Sequence, residues 1–282
     1  MTVPPSIPLE DELGDVLDKA LCQTGLTETE AAARAEVEVS RLRDALDWRS
    51  ELSGEELRRL ARVLQLNEVG LCALGCGHYP LPEIAGLPFC LYPLRMSHGI
   101  GVVNAYIVAE CGSGRGVLFD TGAGLAALQA VWPPAIRQID AVFLTHVEAE
   151  HAGGLCAVVA NFQTAGAFVP TGATAPCGRG MADGEVWTGS HVSVTAISTP
   201  GHVAAHNCYV VAANGARCGS RLLISGDLIF AGSVGCAFFC CQSLRTSIRR
   251  VLDLVPDDAV IAPGHGPLTT AAHERRYNPF IV

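Results

Sequence analysis

Residues 144–154 read LTHVEAEHAGG. The β-branched run AVFLTH ends at His146, and the six positions from His146 to His151 hold two histidines and two glutamates. Imidazole and carboxylate packed this closely make a ligand set for Zn, Fe or Mn. Three other strand-like runs end the same way. AISTPGH closes on His202, LLISGD on Asp227 and AVIAPGH on His265. Loops at strand ends are where α/β folds gather their sites. A lone histidine at such a place is usually structural; four such endings together with the HxExEH run point to one metal site.

The runs around these endings set the fold class. CLYPLRM, NAYIVAE, GVLFDTG, HVSVTAIST and CYVVAA are short apolar segments broken by Gly, Pro and Asp, and GLAALQAVW and TSIRRVLDLV lie among them with helical spacing. Strands and helices mixed in this way predict a layered α/β domain.

The first 80 residues read differently. DVLDKALCQTG (15–25) carries apolar residues at helical spacing and stops at Gly25. Thr27 with Glu30, and Ser53 with Glu56, are placed as capping boxes for two further helices. VSRLRDALDW (39–48) and NEVGLCALG complete five short helices over residues 1–78. The proline-rich YPLPEIAGLPF (79–89) supplies a linker at 79–87, and the layered domain is expected over 88–282. The helical pattern over about residues 12–75 resembles the Cro/repressor-type helix-turn-helix domain. Its charge argues against DNA: residues 1–80 hold 15 acidic and 8 basic side chains, and Asp44 and Asp47 interleave with Arg41, Arg43 and Arg49. Duplex binding draws much of its affinity from Lys and Arg at phosphates. The alternatives are an accessory unit packed on the layered domain or a homodimer contact.

Hydrophobic residues make up 49% of the chain and charged ones 17%, as in a well-buried globular protein. The net charge of −9 gives no reason to expect a nucleic-acid or anionic-membrane partner. No apolar run has the roughly 18–20 residues that span a bilayer. The segment MTVPPSIPLEDELGDV lacks the pattern of a secretory signal, and the twelve cysteines form no CxxC pair. The expectation is a cytoplasmic protein with reduced thiols acting as small core residues. FFCC (238–241) is read mainly as packing.

The ordered motifs THVEAEH, TPGH, SGD and PGH, with VLFDTGAG (117–124) ahead of them, resemble the metallo-β-lactamase superfamily over about residues 88–282. That resemblance implies a four-layer αββα sandwich preceded here by a small all-helical domain. It assigns His146, Glu148 and His202 to a first metal and Glu150, His151 and His265 to a second. Asp227 would bridge the two metals, and Asp120 would support the site from behind. His206 would be a supporting or substrate-facing group. SGDLIFAGSVG, the segment SLRTSIRRVLDLVPDDAVIAPGHGPLTT and HERRYNPF are similar to the glyoxalase II branch. The branch implies hydrolysis of an ester or thioester, a small-molecule substrate, by a metal-bound hydroxide. Its C-terminal glutathione-binding domain is expected to be absent.

Two ligands depart from the hydrolase pattern. Glu148 stands where those enzymes have histidine, and Glu150 where they have aspartate. The extra carboxylate favours Fe or Mn over Zn for the two divalent ions. Glu148 resembles the ligand of the flavodiiron oxygen reductases, so a di- or mono-iron redox enzyme is an alternative. The longer Glu150 side chain leaves two more alternatives, a site that holds one metal and a metal-poor inactive relative.

Overall fold

The computed structural model describes residues 7–99, 101–215 and 221–282. The first six residues of the segment read for a secretory signal, and Cys218, lie outside the described residues.

Five helices come first: α1 (Leu13–Thr24), α2 (Glu28–Ala35), α3 (Val39–Leu46), α4 (Gly54–Leu64) and α5 (Glu68–Gly75). Their ends follow from the residues at them. Gly25 takes the left-handed conformation that closes α1, and both expected capping boxes form, Thr27 with Glu30 and Ser53 with Glu56. The apolar faces share one core around Leu17, Leu42, Leu57, Leu60 and Leu71. Arg41 pairs with Glu56, Arg43 with Glu28, and Arg49 with Asp44 and Asp47. These three arginines are thus met by acidic neighbours.

The rest is a sandwich of four layers. Strands β1 (Cys90–His98), β2 (Gly101–Ala109), β3 (Arg115–Phe119), β4 (Gln138–Phe143), β5 (Gly166–Pro170) and β6 (Arg179–Met181) form the first sheet in that order. Helices α6 (Leu125–Ala130), α7 (Ala149–Ala152) and α8 (Leu155–Phe162) are interspersed among them. Next come β7 (Val186–Thr188), β8 (Val192–Ser198), β9 (Asn207–Ala213) and β10 (Leu222–Gly226), then a hairpin of β11 (Ile229–Phe230) and β12 (Ser233–Val234). The chain continues through α9 (Cys241–Leu254), β13 (Val260–Pro263), β14 (Thr269–Thr270) and α10 (Ala271–Tyr277). The second sheet runs β14-β13-β10-β9-β8-β7.

Strand β2 shows why its sequence is apolar without alternation. Tyr106 and Val108 face the second sheet, while Ala105, Ile107 and Ala109 face α6 and α8. A strand covered on both sides needs apolar residues on both. Helix α9 covers the outer face of the second sheet through Leu244, Ile248 and Val251.

Four cysteines correct the reading of all of them as reduced thiols. Cys90 is bonded to Cys111 and Cys156 to Cys177. Cys90 lies opposite Ala109 in the β1–β2 register, so Cys111 meets it just past the strand end, a proximity that pairing creates and spacing hides. Among the described residues, no helix is long and apolar enough to cross a membrane.

Asn67 and Glu274 help to fix the helical unit on the sandwich. The Asn67 side chain donates to the carbonyls of Arg276 and Ile281, and its backbone N–H donates to that of Pro279. Buried Glu274 accepts from the Tyr79 and Thr269 hydroxyls, the Asn278 amide and the Gly232 N–H. Burial raises its carboxyl to about 7 against those four donors. A carboxyl raised in the folded state adds stability below its ordinary value and loses it as pH climbs through the raised one. From Glu274, stability should fall by roughly 3 kcal/mol between about pH 4.5 and 7. Denaturant melts across that range should show this slope, and Glu274→Gln should flatten it. At Gly70 a Cβ would collide with the Tyr277 carbonyl, whereas at Gly54 it makes only ordinary contact with the Arg58 side chain. Alanine normally stabilises a helix by about 1 kcal/mol over glycine. Gly70→Ala should instead cost roughly 2–3 kcal/mol in a thermal melt, with Gly54→Ala neutral or stabilising.

Candidate metal centre

The site forms where β4, β10 and β13 end together. His146 follows β4. Glu148 is the N-cap residue of α7, and Glu150 and His151 lie in that short helix. His202 comes from the loop between β8 and β9, Asp227 follows β10, and His265 follows β13. The β10–β13 register shifts between Ile224 and Gly226, and Gly226 takes a positive φ. That irregularity carries Asp227 out of the ladder and into the space between the sheets.

Each histidine is held by one nitrogen and presents the other. His146 Nδ1 donates to Thr145 Oγ1 at 3.0 Å, and His151 Nδ1 to Asp120 Oδ2 at 3.1 Å. His202 Nδ1 donates to the Cys236 carbonyl at 2.8 Å, and His265 Nδ1 to that of Val102 at 2.9 Å. These bonds fix one tautomer and leave Nε2 as a lone-pair donor. The Nε2 atoms of His146, His151 and His202 and Oδ1 of Asp227 are buried without a hydrogen-bond partner. Buried polar atoms are costly to leave unpaired. Turned toward one another, such atoms are what a bound cation would satisfy.

The donor atoms fall into two groups, His146, Glu148 and His202 in one and Glu150, His151, Asp227 and His265 in the other, each within 4.8 Å. Asp227 reaches both. Its Oδ2 lies 3.7 Å from His202 Nε2 and 3.5 Å from His265 Nε2, and its Oδ1 lies 3.5 Å from His151 Nε2. The longer Glu150 side chain still reaches the cluster, 3.9 Å from His265 Nε2. A Cβ at Gly264 would fall on Asp227 Oδ1, so that position has room only for glycine. Two divalent ions fit this donor set in number, type and grouping.

The charges agree. Burial would raise the Asp227 carboxyl, but the imidazoles of His151, His265 and His146 hold it well below the usual range. Burial would lower His265, but Asp227 beside it lifts the imidazole to about 9. Glu148 is held low by His146, 3.6 Å away. Protons and metal ions compete for the same Nε2 atoms.

Asp120, which ends the strand of VLFDTGAG, lies behind the donor cluster. It sits in the left-handed region at φ 58°. Its carboxylate accepts from the Thr145 N–H and hydroxyl as well as from His151. His206 does not face the cavity. It is buried behind His146, its Nδ1 bonded to Thr199 Oγ1 at 2.7 Å, and burial holds it neutral. Sequence reading missed His98, whose Nε2 lies 3.4 Å from Glu150, and Glu10, whose Oε1 lies 3.7 Å from His265 Nδ1. Neither belongs to a motif, and Glu10 comes from the far end of the chain.

The family model of the metallo-β-lactamase superfamily matches residues 98–265. A hydroxyacylglutathione hydrolase from Salmonella typhi is 29% identical over 161 residues, which is 54% of this chain and 57% of that protein. The match thus spans little more than half of that relative's length. Among solved structures, the BLEG-1 B3 metallo-β-lactamase superposes with a TM-score of 0.55 at 24% identity, over 67% of this chain and 98% of that one. TTHA1623, solved in a di-iron-bound form, superposes with a TM-score of 0.51 at 26% identity, over 66% of this chain and 98% of that one.

Asp120→Ala should weaken metal binding at the His151 group about 10–100-fold. Metal titration by calorimetry should show that loss in one of two binding events, the His146 group being less affected. Equal weakening of both would contradict the assignment.

Proposed function

This chain belongs to the metallo-β-lactamase superfamily, and we propose that it is a metal-dependent hydrolase of an ester or thioester. The observation that carries the reading is the two-part donor cluster with Asp227 reaching both parts. His146, Glu148 and His202 would hold one ion, and Glu150, His151 and His265 the other, with Asp227 shared. Bound divalent ions supply Lewis acidity toward a carbonyl oxygen and lower the pKa of water. The protein's part is to fix tautomers and positions. Thr145, Asp120, and the Cys236 and Val102 carbonyls hold the imidazoles so that no ligand reorients during turnover. Asp227, buried and kept ionised by its histidines, is the fixed negative charge around which the site is balanced.

Three carboxylates against two divalent ions leave a less positive centre than the usual two. Such a centre activates water at higher pH and tolerates a more oxidised metal. This supports a second reading, a non-haem iron redox enzyme, which the likeness to a di-iron-bound structure also supports.

Full-length protein loaded separately with Zn, Mn and Fe should turn over a simple S-acyl thioester with at least one metal. Asp227→Ala should lower kcat at least 100-fold. Metal-replete protein that leaves thioesters and esters intact, while its bound iron cycles between oxidation states with an absorption band, would overturn hydrolysis in favour of the redox reading.

A further inference from the structure

The helical unit does more than pack. Its first segment and α1 form one wall of the cavity over the donor cluster, which has a volume of about 560 Å³. That wall presents Glu10, Asp11, Asp15, Asp18 and Lys19. Lys19 is already engaged: its ammonium is paired with Asp11 and donates to the Val234 carbonyl at 2.8 Å. Asp11 in turn accepts from the Ser233 hydroxyl. The lysine therefore latches the wall to the β11–β12 hairpin, and the charge left facing the cavity is acidic. Asp227 and His202, 4% and 3% exposed, each present an unpartnered buried atom, and both line the same cavity. At its mouth stands Phe238, 73% exposed, its ring 5.3 Å from that of His202. Carboxylates opposite an open aromatic face are the surroundings an organic cation prefers.

Resting on the hydrolase reading, we propose that the helical unit is the specificity wall of the metal cavity, selecting acyl donors whose leaving group is cationic and disfavouring anionic ones. In the reaction so selected, water adds to the acyl carbon, the carbon–sulfur bond breaks, and a carboxylic acid and a cationic thiol depart. Glu10 and Asp18 would act as specificity residues through charge. Asp15 is partly committed, since its carboxylate also accepts from the Glu12 N–H at the start of α1.

The test uses metal-loaded full-length protein and three thioesters of one acyl group. Their leaving thiols are thiocholine (positive), 2-mercaptoethanol (neutral) and mercaptoacetate (negative). kcat/KM should fall in that order, with at least a tenfold span carried mostly by KM. Asp18→Asn and Glu10→Gln should each shrink the span about threefold, as should 0.5 M salt. Metal content is measured for every variant, so that a lost ion is not mistaken for lost selectivity. In parallel, calorimetry gives the Kd of thiocholine and of mercaptoacetate for wild type and both variants; the ratio of the two constants should move toward the anion in each variant. A preference for the anionic thioester, or a Kd ratio that the variants leave unchanged, would overturn the proposal. If no thioester is turned over, the hydrolase reading fails, and the Kd ratio alone then decides whether the wall selects by charge.

Discussion

The structure is organised around one desolvated carboxylate. Asp227 lies between two sheets with an oxygen that meets no hydrogen-bond donor, a position that costs several kcal/mol unless positive charge surrounds it. The histidines at the ends of neighbouring strands supply part of that charge, and the donor geometry provides for the rest as metal. Because β4, β10 and β13 must end together to deliver these groups, the sandwich and the site are one constraint. The bulge before Gly226 and the small side at Gly264 are its local costs, since an extra Cβ would fall on Thr145, which holds His146, at the first and on Asp227 itself at the second.

Much of this was legible in the chain. Strand-end histidines and aspartates stand out because polar residues there interrupt β-branched runs, and the helix starts were legible because capping is local chemistry within four residues. The fold class followed from the same periodicities. What escaped reading depends on long-range proximity. The Cys90–Cys111 bond comes from strand register, and the contact of Glu10 with His265 brings together residues from opposite ends of the chain. His206 was open between a supporting and a substrate-facing place; its burial behind His146 fits the supporting one, and burial is a property of the packed molecule.

In the helical unit the arginines are spent on internal ion pairs, and α5 rests closely on the end of α10. The charge that would repel a phosphate backbone is instead carried to the rim of a metal cavity. A fold class alone would not have predicted that placement, because it follows from how one surface docks against another.

The hydrogen bonds converging on Glu274 have a consequence for assembly. The carboxylate ties together Tyr79, where the helical unit hands over to the sandwich, the β11–β12 hairpin beside Asp227, and the turn at Asn278. Glu10 belongs to the first segment of the chain and His265 to its last strands. A chain emerging from the ribosome in order therefore displays HxExEH long before the partners that complete either donor group arrive. The complete donor cluster is in this sense a late product of biosynthesis: the second group closes only once the strands that carry Asp227 and His265 have docked, and before that the chain carries HxExEH without its partners.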